Sequence, residues 1–459
     1  MEPYRIKAVE ALPFTDREHR ERSLREAGYN LFRVSAEDVT IDLLTDSGTG
    51  SMSAGQWAAL MEGDEAYAGA KSYRAFEDRV RDLTGHRHIL PVHQGRAGER
   101  VLFQAMELRG KVSFSNGHYD TTAANVVLAG GRPVDTRTTK ARDFHSPYPF
   151  KGNLDLDALR ARLLGRSGGE EVALVLLTLT DNGGGGHPVA LSHAREIADL
   201  CRSRGVPLFL DAARYAENAY LNLLRGEAPQ SSPEEIAREF FRTADGALCS
   251  LRKDTFGNMG GFLSIDDDAL AERCQELVVA TEGFATYGGM AGRDLASLTR
   301  GIIEATEPRY LAHRYSAAEA FARALADEGL PVMRPTACHA VYIDAGAVMR
   351  HIPAREFPAV AFANELFLAA GVRSAEMGSL EAGTYASSGE PAAQRELLRL
   401  ALPRRVYTQS HLAYVAEAVG RVASHAERLT GYEVLHQPRH LRHFTATLRP
   451  LDASESKRR

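Results

Sequence analysis

Val206-Pro-Leu-Phe-Leu210 runs straight into Asp211-Ala-Ala-Arg214, and Gly246-Ala-Leu-Cys249 runs straight into Ser250-Leu-Arg-Lys-Asp254. Each begins as a short apolar run of strand length and stops on a polar group. Ligands of open α/β sheets sit beyond the carboxyl ends of the strands, so Asp211 and Lys253 are expected to face one crevice. Taken alone, the pair also fits a strand-end ion pair beside a solvated lysine. A carboxylate and a lysine in one crevice are what pyridoxal phosphate requires, the first for its ring nitrogen and the second for its aldehyde.

The stretches on either side support the sheet. His88-Ile-Leu-Pro-Val92 reads as a strand, followed by His93-Gln-Gly-Arg-Ala-Gly-Glu99 opening a helix. A glycine turn leading into a helix N-terminus presents free N–H groups and the positive end of the helix dipole to an anion. Arg96 adds a charged donor suited to phosphate. The glycine spacing is not that of a dinucleotide fingerprint, and a single phosphate fits better. Lys111–Ser115, Arg132–Asp135 and Val172–Thr180 read as further strands, and a helix over Leu191–Ser203 returns the chain to the Asp211 strand. This alternation predicts a mostly parallel sheet.

Upstream, Thr15-Asp16 is placed to cap a helix that ends near Gly28. Val39–Leu44 reads as a strand leading into the loop Thr45–Ser51, and Gly63–Gly69 is a loop with Tyr67 at its centre. After Thr281–Gly289 a long helical stretch reaches Glu328. The remainder, with strand-like runs at His339–Asp344, Val372–Met377 and Leu397–Leu402, reads as a smaller α+β domain. The expected organisation is 1–45 as an N-terminal arm and part of the small domain, 46–310 as a large cofactor-binding domain, and 311–459 as a small C-terminal domain. The tail after Asp452 is expected to be disordered.

With 459 residues, 44% hydrophobic and 25% charged, the composition is that of a globular protein. A formal net charge of −5 without long like-charged runs argues against nucleic acid or a membrane as the partner. The four cysteines, Cys201, Cys249, Cys274 and Cys338, show no CxxC spacing and suit reduced, buried thiols. With neither a signal-peptide core nor an apolar run of membrane-spanning length, a cytoplasmic location is expected. His436, His440 and His443 have ligand-like spacing, but Gly431–Val434 and Phe444–Leu448 around them read as strands broken by Pro438, and a zinc site is not expected.

Several stretches together carry a resemblance. Ile41–Thr49, Gly63–Gly69, His93–Arg96, Asp211–Arg214, Ser250–Asp254, Glu282–Asp294, Pro403–Thr408 and Leu441–Ala446 resemble, in this order and over nearly the whole chain, the β-eliminating lyases, whose branches are tryptophanase and tyrosine phenol-lyase. The resemblance implies a fold-type I pyridoxal-phosphate enzyme, with a mostly parallel large domain and a smaller α+β domain. It also implies a homotetramer in which each site borrows residues from a neighbouring chain.

The roles follow from the same resemblance. Lys253 would hold the cofactor aldehyde and, once displaced by substrate, take the Cα proton, a task suited to a buried lysine of lowered pKa. Asp211 would keep the ring nitrogen protonated. Asn182 and Arg214 would lie near the ring hydroxyl, with Tyr119 stacked on the ring. Gln94, Gly95, Arg96 and Ser250 would bind the phosphate. Arg404 would clamp the substrate carboxylate, a bidentate task for which lysine is poorly suited. Tyr67 and Thr49 would complete the shell, and Glu65 with the backbone of Asn258 would hold a monovalent cation, usually potassium.

Asp120, Met377 and His443 are similar to the tryptophanase branch, since Met377 stands where tyrosine phenol-lyase has an arginine. Asp120 would assist protonation of indole C3 or polarise the indole N–H. The expected reaction is β-elimination of L-tryptophan to indole, pyruvate and ammonia. The alternative is elimination or β-replacement on another β-substituted amino acid, such as tyrosine or an S-substituted cysteine. Three departures bear on that choice. Gly183–Gly186 replaces an alanine-containing turn, Arg252 replaces a lysine, and Gly117-His118 replaces bulkier aromatics before Tyr119.

Overall fold

The computed structural model describes residues 1–165, 169–382, 393 and 395–452, so the tail expected to be disordered lies outside the described residues. The chain divides into two compact units, Ser47–Arg314 and Met1–Asp46 with Tyr315–Arg459.

The first unit is built on seven strands. They are β1 (His88–Val92), β2 (Val112–Ser115), β3 (Arg132–Asp135), β4 (Val172–Thr178), β5 (Leu208–Asp211), β6 (Gly246–Ser250) and β7 (Gly261–Ile265). Their order across the sheet is β1-β7-β6-β5-β4-β2-β3. The pairs β3/β2, β2/β4, β4/β5 and β5/β6 are parallel, while β7 runs against both of its neighbours. The mostly parallel sheet expected from the alternation of strands and helices is thus present.

Burial explains why the central strands are continuously apolar. Successive side chains of β4 point to opposite faces: Val175 and Leu177 enter one core, and Leu174 and Leu176 the other. At the edge, β3 is only half-buried and carries Arg132 and Pro133, residues that discourage further strand addition. The helix Leu191–Arg202 buries Leu191, Ala194, Ile197, Ala198 and Cys201, the stripe its 3.6-residue period sets.

Lys253 lies in the loop between β6 and β7, whose ends are tied by Leu251 N–H donating to Gly260 O at 2.9 Å. Its neighbour Asp254 accepts from the backbone of Ala216 at 2.8 Å and Glu217 at 3.2 Å, satisfying open N–H groups in the first turn of the helix Tyr215–Leu224. The long helical stretch expected up to Glu328 is two helices, Gly292–Ala305 and Pro308–Asp327.

The second unit holds an antiparallel sheet of Ala375–Met377, Leu397–Ala401 and Ala340–Asp344. A short parallel pair joins Ile41–Asp42 to Val372–Arg373, so the strand expected over Val39–Leu44 is only two residues long. The helix Arg17–Glu26 is capped by Asp16, which accepts from His19 N–H, and Gly28 follows it at φ +65°. Around His443 the structure departs from the expected strand at Phe444–Leu448. Leu441 takes φ +54° and starts a short helix, Arg442–Thr445. The Arg442 guanidinium fixes this helix by donating to the carbonyls of Ser379 at 2.6 Å and Leu380 at 2.7 Å, and the strand begins only at Thr447.

All four cysteines are buried free thiols. Among the described residues, no helix is long and apolar enough to cross a membrane.

Candidate active site

The carboxyl ends of β2, β4, β5 and β6 open onto one cavity of about 60 Å³. Its walls include Gln94, Gly95, Arg96, Tyr119, Asn182, Asp211, Arg214, Ser250 and Lys253, so the structure brings together the whole set of residues considered for the cofactor. Thr178, Thr121, Ser47, Arg252 and Glu99 also line it.

One end is a cradle of backbone and small side chains. The helix Gly95–Ala105 starts here with Gln94 at its N-cap, and its first N–H groups have no partner within the helix. A Cβ added at Gly95 would lie 2.8 Å from Ser250 Cβ, so the close approach of this turn to the end of β6 requires glycine. Arg96 and the Ser250 hydroxyl complete a donor set suited to a phosphate.

At the floor lies Asp211. Its burial pushes the carboxyl up, while Lys253, a backbone N–H from Ala213 and Arg214 pull it down. A protonated ring nitrogen beside it would supply a cationic partner for a carboxylate that is otherwise costly to bury. Donors for a phosphate, a carboxylate for a pyridinium and a lysine for an aldehyde therefore occur in one cavity, and the residues present fit pyridoxal phosphate.

Sequence reasoning missed Glu99. It is buried, accepts from Thr122 Oγ1 at 2.7 Å and Asn125 Nδ2 at 3.0 Å, and is raised to about 7 by desolvation, with Asp211 adding to the rise. A signal was available in its position one turn past Arg96, on the face of the helix that meets the site. Arg252 is also strained by burial, with Arg96 nearby, and its guanidinium is pushed down.

Other candidates lie elsewhere. Asp120 is buried as the first residue of the helix Asp120–Leu128, between the lining residues Tyr119 and Thr121 but not itself in the wall. Thr49 is exposed in the loop that contributes Ser47. Tyr67 is 71% exposed, stacked at 5.5 Å on Phe284, with Tyr287 edge-on at 5.5 Å. Glu65 receives Arg293 Nε at 2.8 Å and the N–H of Gly292 at 3.3 Å, while Asn258 donates to Gly48 O at 3.1 Å.

Arg404, Met377 and His443 belong to the second unit. Arg404 is almost fully buried, with Asp46 at 2.9 Å, and Met377 is buried in its strand. The His443 ring lies 4.0 Å from Phe444 and 5.8 Å from Phe32, and with Tyr29, Ser374 and Glu376 it lines a separate cavity of about 30 Å³.

Comparison with known proteins agrees with this chemistry. Residues 42–418 match the family of beta-eliminating lyases. The chain is 46% identical to a tryptophanase of Salinibacter ruber over 451 residues, covering 98% of this chain and 95% of that one. It is 41% identical to a tyrosine phenol-lyase of Symbiobacterium thermophilum over 452 residues, covering 98% of each. Among solved structures, the threonine aldolase of Leishmania major shares the fold, with a TM-score of 0.57 at 16% identity over 83% of this chain and 99% of that one. The chain belongs to the beta-eliminating lyase family and is a pyridoxal-phosphate-dependent lyase of fold type I.

Proposed function

We propose that the protein cleaves L-tryptophan by β-elimination, yielding indole, pyruvate and ammonia. The observation that carries the reading is the single cavity joining Lys253, Asp211 and the Gly95 cradle, in a chain 46% identical to a tryptophanase.

Pyridoxal phosphate supplies an electron sink for the carbanion at the substrate Cα. The chain supplies the rest. Lys253 holds the aldehyde and then moves the Cα proton, Asp211 keeps the ring nitrogen protonated, and Tyr119, Asn182 and Arg214 orient the ring. Gln94, Gly95, Arg96 and Ser250 hold the phosphate. Arg404 takes the substrate carboxylate in exchange for part of its contact with Asp46, and Thr49 and Tyr67 close the site. Asp120 serves the proton needed at the leaving carbon of indole, with Met377 and His443 shaping the pocket.

Oligomerisation fits what the first unit exposes. On the helix Ala54–Glu62, Trp57 and Met61 stand four residues apart on one face, 55% and 83% exposed, and Tyr67 follows close behind. A homotetramer in the cytoplasm would cover them and let Tyr67 serve a neighbouring site. A potassium ion at Glu65 and Asn258 would have to compete with Arg293 for the carboxylate. Replacing potassium by sodium in the assay tests this site.

The Gly117-His118 departure just before Tyr119 supports a second reading, elimination or replacement on another β-substituted amino acid. Rates of pyruvate release from tryptophan, tyrosine and S-substituted cysteines separate the two. Met377 has no donor for a phenol oxygen, a deficit of about 1–3 kcal/mol, so tyrosine should react more than fivefold more slowly than tryptophan. Faster release of phenol than of indole rejects the tryptophan assignment, and cleavage of S-substituted cysteines alone selects the second reading. Within the tryptophan reading, Asp120→Ala should slow indole release at least about tenfold, an effect in the range of general acid catalysis, while sparing a cysteine derivative with a good leaving group.

A further inference from the structure

Tyr119 and Asn182 share a feature that their assignment to the cofactor ring does not explain. The residue immediately before each of them is tied to the end of the edge strand β3. His118 precedes Tyr119, and both its backbone N–H, at 2.9 Å, and its ring Nδ1, at 2.6 Å, meet Asp135 Oδ1. The other ring nitrogen, Nε2, meets Ser113 Oγ at 2.7 Å. The two ring nitrogens are thus both engaged, one by the carboxylate and one by the serine hydroxyl. Asp181 precedes Asn182, and it is paired with Arg137, two residues beyond β3. Nη2 lies 3.2 Å from Oδ1, and Nε makes the closer contact with Oδ2. The Asp181 side chain is 1% exposed and that of Arg137 32%.

Because β3, β2 and β4 are adjacent, the Arg137–Asp181 pair crosses the carboxyl edge of the sheet over the turn that follows β2. Three glycines make room for it. A Cβ at Gly117 would lie 2.6 Å from Asp181 Oδ1 and 2.7 Å from Arg137 Nη2, and one at Gly183 would lie 2.6 Å from Arg137 Nη2. A Cβ at Gly184 would collide with the Asp181 carboxylate. The glycines that set this chain apart in the sequence are therefore the space that the ion pair fills.

We propose that Arg137 is a positioning residue: through Asp181, and across Gly117, it sets how Asn182 and Tyr119 stand against the ring of the cofactor, with the His118–Asp135 contact fixing the second turn. The proposal rests on the reading of Asn182 and Tyr119 as ring contacts. A solvated ion pair without this role would change stability alone. A brace acting on the ring contacts changes the ring's electronic environment and the chemical step, and spares the phosphate cradle.

The experiment uses the cofactor-loaded enzyme and the variants Arg137→Met, Arg137→Lys, Gly117→Ala and Asn182→Ala, reading the visible absorption of bound cofactor, cofactor affinity, and kcat and KM separately. Arg137→Met and Gly117→Ala should each shift the absorption band and lower kcat on the order of tenfold, as expected for a displaced reacting geometry. Their cofactor affinity should stay within about threefold of the parent, and Arg137→Lys should recover part of the loss. Combined with Asn182→Ala, Arg137→Met should add less than its separate effect, because the two act through one contact. If Asn182→Ala moves the spectrum and kcat while Arg137→Met and Gly117→Ala change only thermal stability, the brace is refuted and the ring-contact reading stands. If Asn182→Ala itself leaves both unchanged, the ring-contact reading falls and takes the brace with it. Should Arg137→Met fail to fold, Gly117→Ala and Arg137→Lys decide the same question with the charges retained.

Discussion

The two ends of the cavity are built in different ways. At the phosphate end, Gln94, Gly95 and Arg96 are consecutive residues at one helix start, pressed against Ser250 so closely that a methyl group would not fit. At the end proposed for the ring, Tyr119 and Asn182 come from separate turns, and the residues before them, His118 and Asp181, pair with Asp135 at the end of β3 and with Arg137 just beyond it. A cradle made of backbone suits a phosphate, which the cofactor presents unchanged whatever the substrate. A wall held by charged side chains can change from one family member to another while the cradle stays fixed.

Substitutions should therefore separate by end. The largest effect is expected at Lys253, which both ends serve. Lys253→Ala should lose at least about a hundredfold in turnover, the scale of a lost general base, and still bind cofactor because both ends remain. Borohydride should fix the cofactor to Lys253 in the parent, and labelling at another lysine would break the assignment. Gly95→Ala comes next. Overpacking against Ser250 should cost about 1–3 kcal/mol, read as a roughly tenfold to hundredfold weaker cofactor dissociation constant with turnover at saturation largely kept. An equal fall in both would show that the ends are not separable.

The smallest effect on turnover is expected at Glu99, between the cradle and Asp211, where the change is one of stability. Its carboxyl is raised to about 7 from 4.5, so the folded cofactor-free protein disfavours the charged form. Stability attached to this group is full below pH 4.5, falls as pH rises toward 7, and stays low above that. Glu99→Gln should match the parent near pH 4 and exceed it by about 3–4 kcal/mol at pH 8, from the roughly 1.4 kcal/mol of each pKa unit. Unfolding midpoints of the cofactor-free proteins at the two pH values measure it, and a variant less stable at pH 8 would contradict it.

What was legible in the sequence follows the same division. The strands β5 and β6 were readable because a doubly buried parallel strand must be apolar and must end where the site begins. The cradle proposed for the phosphate was readable as a unit because Gln94, Gly95 and Arg96 are contiguous. The reversed direction of β7 was not, since the loop before it is long enough for a hairpin and no local pattern fixes its hand. The short helix at His443 was hidden because it depends on Arg442 reaching the carbonyls of Ser379 and Leu380, far away in sequence. Asp135, the last residue of β3, and Arg137, two residues on, carry no local sequence signal, and only their partners across the sheet give them a role. Glu99 read as one more acid in a helix, because burial, which makes it unusual, is a property of the fold.

One feature of the lysine loop bears on how the enzyme survives its own substrate. The loop between β6 and β7 is closed at its neck by Leu251 and Gly260, and Asp254 ties it to the next helix. Lys253 therefore stays within a small volume whether or not it holds the aldehyde. A tethered group of this kind acts at effective concentrations that reach about 10⁵ M and more in favourable geometries, above any that a free amino acid in solution can reach. Competing amines can enter in their turn, but as products leave the advantage returns to the resident one. The hairpin thus acts as a reset, which favours recapture of the cofactor over its loss to the surrounding pool of amines.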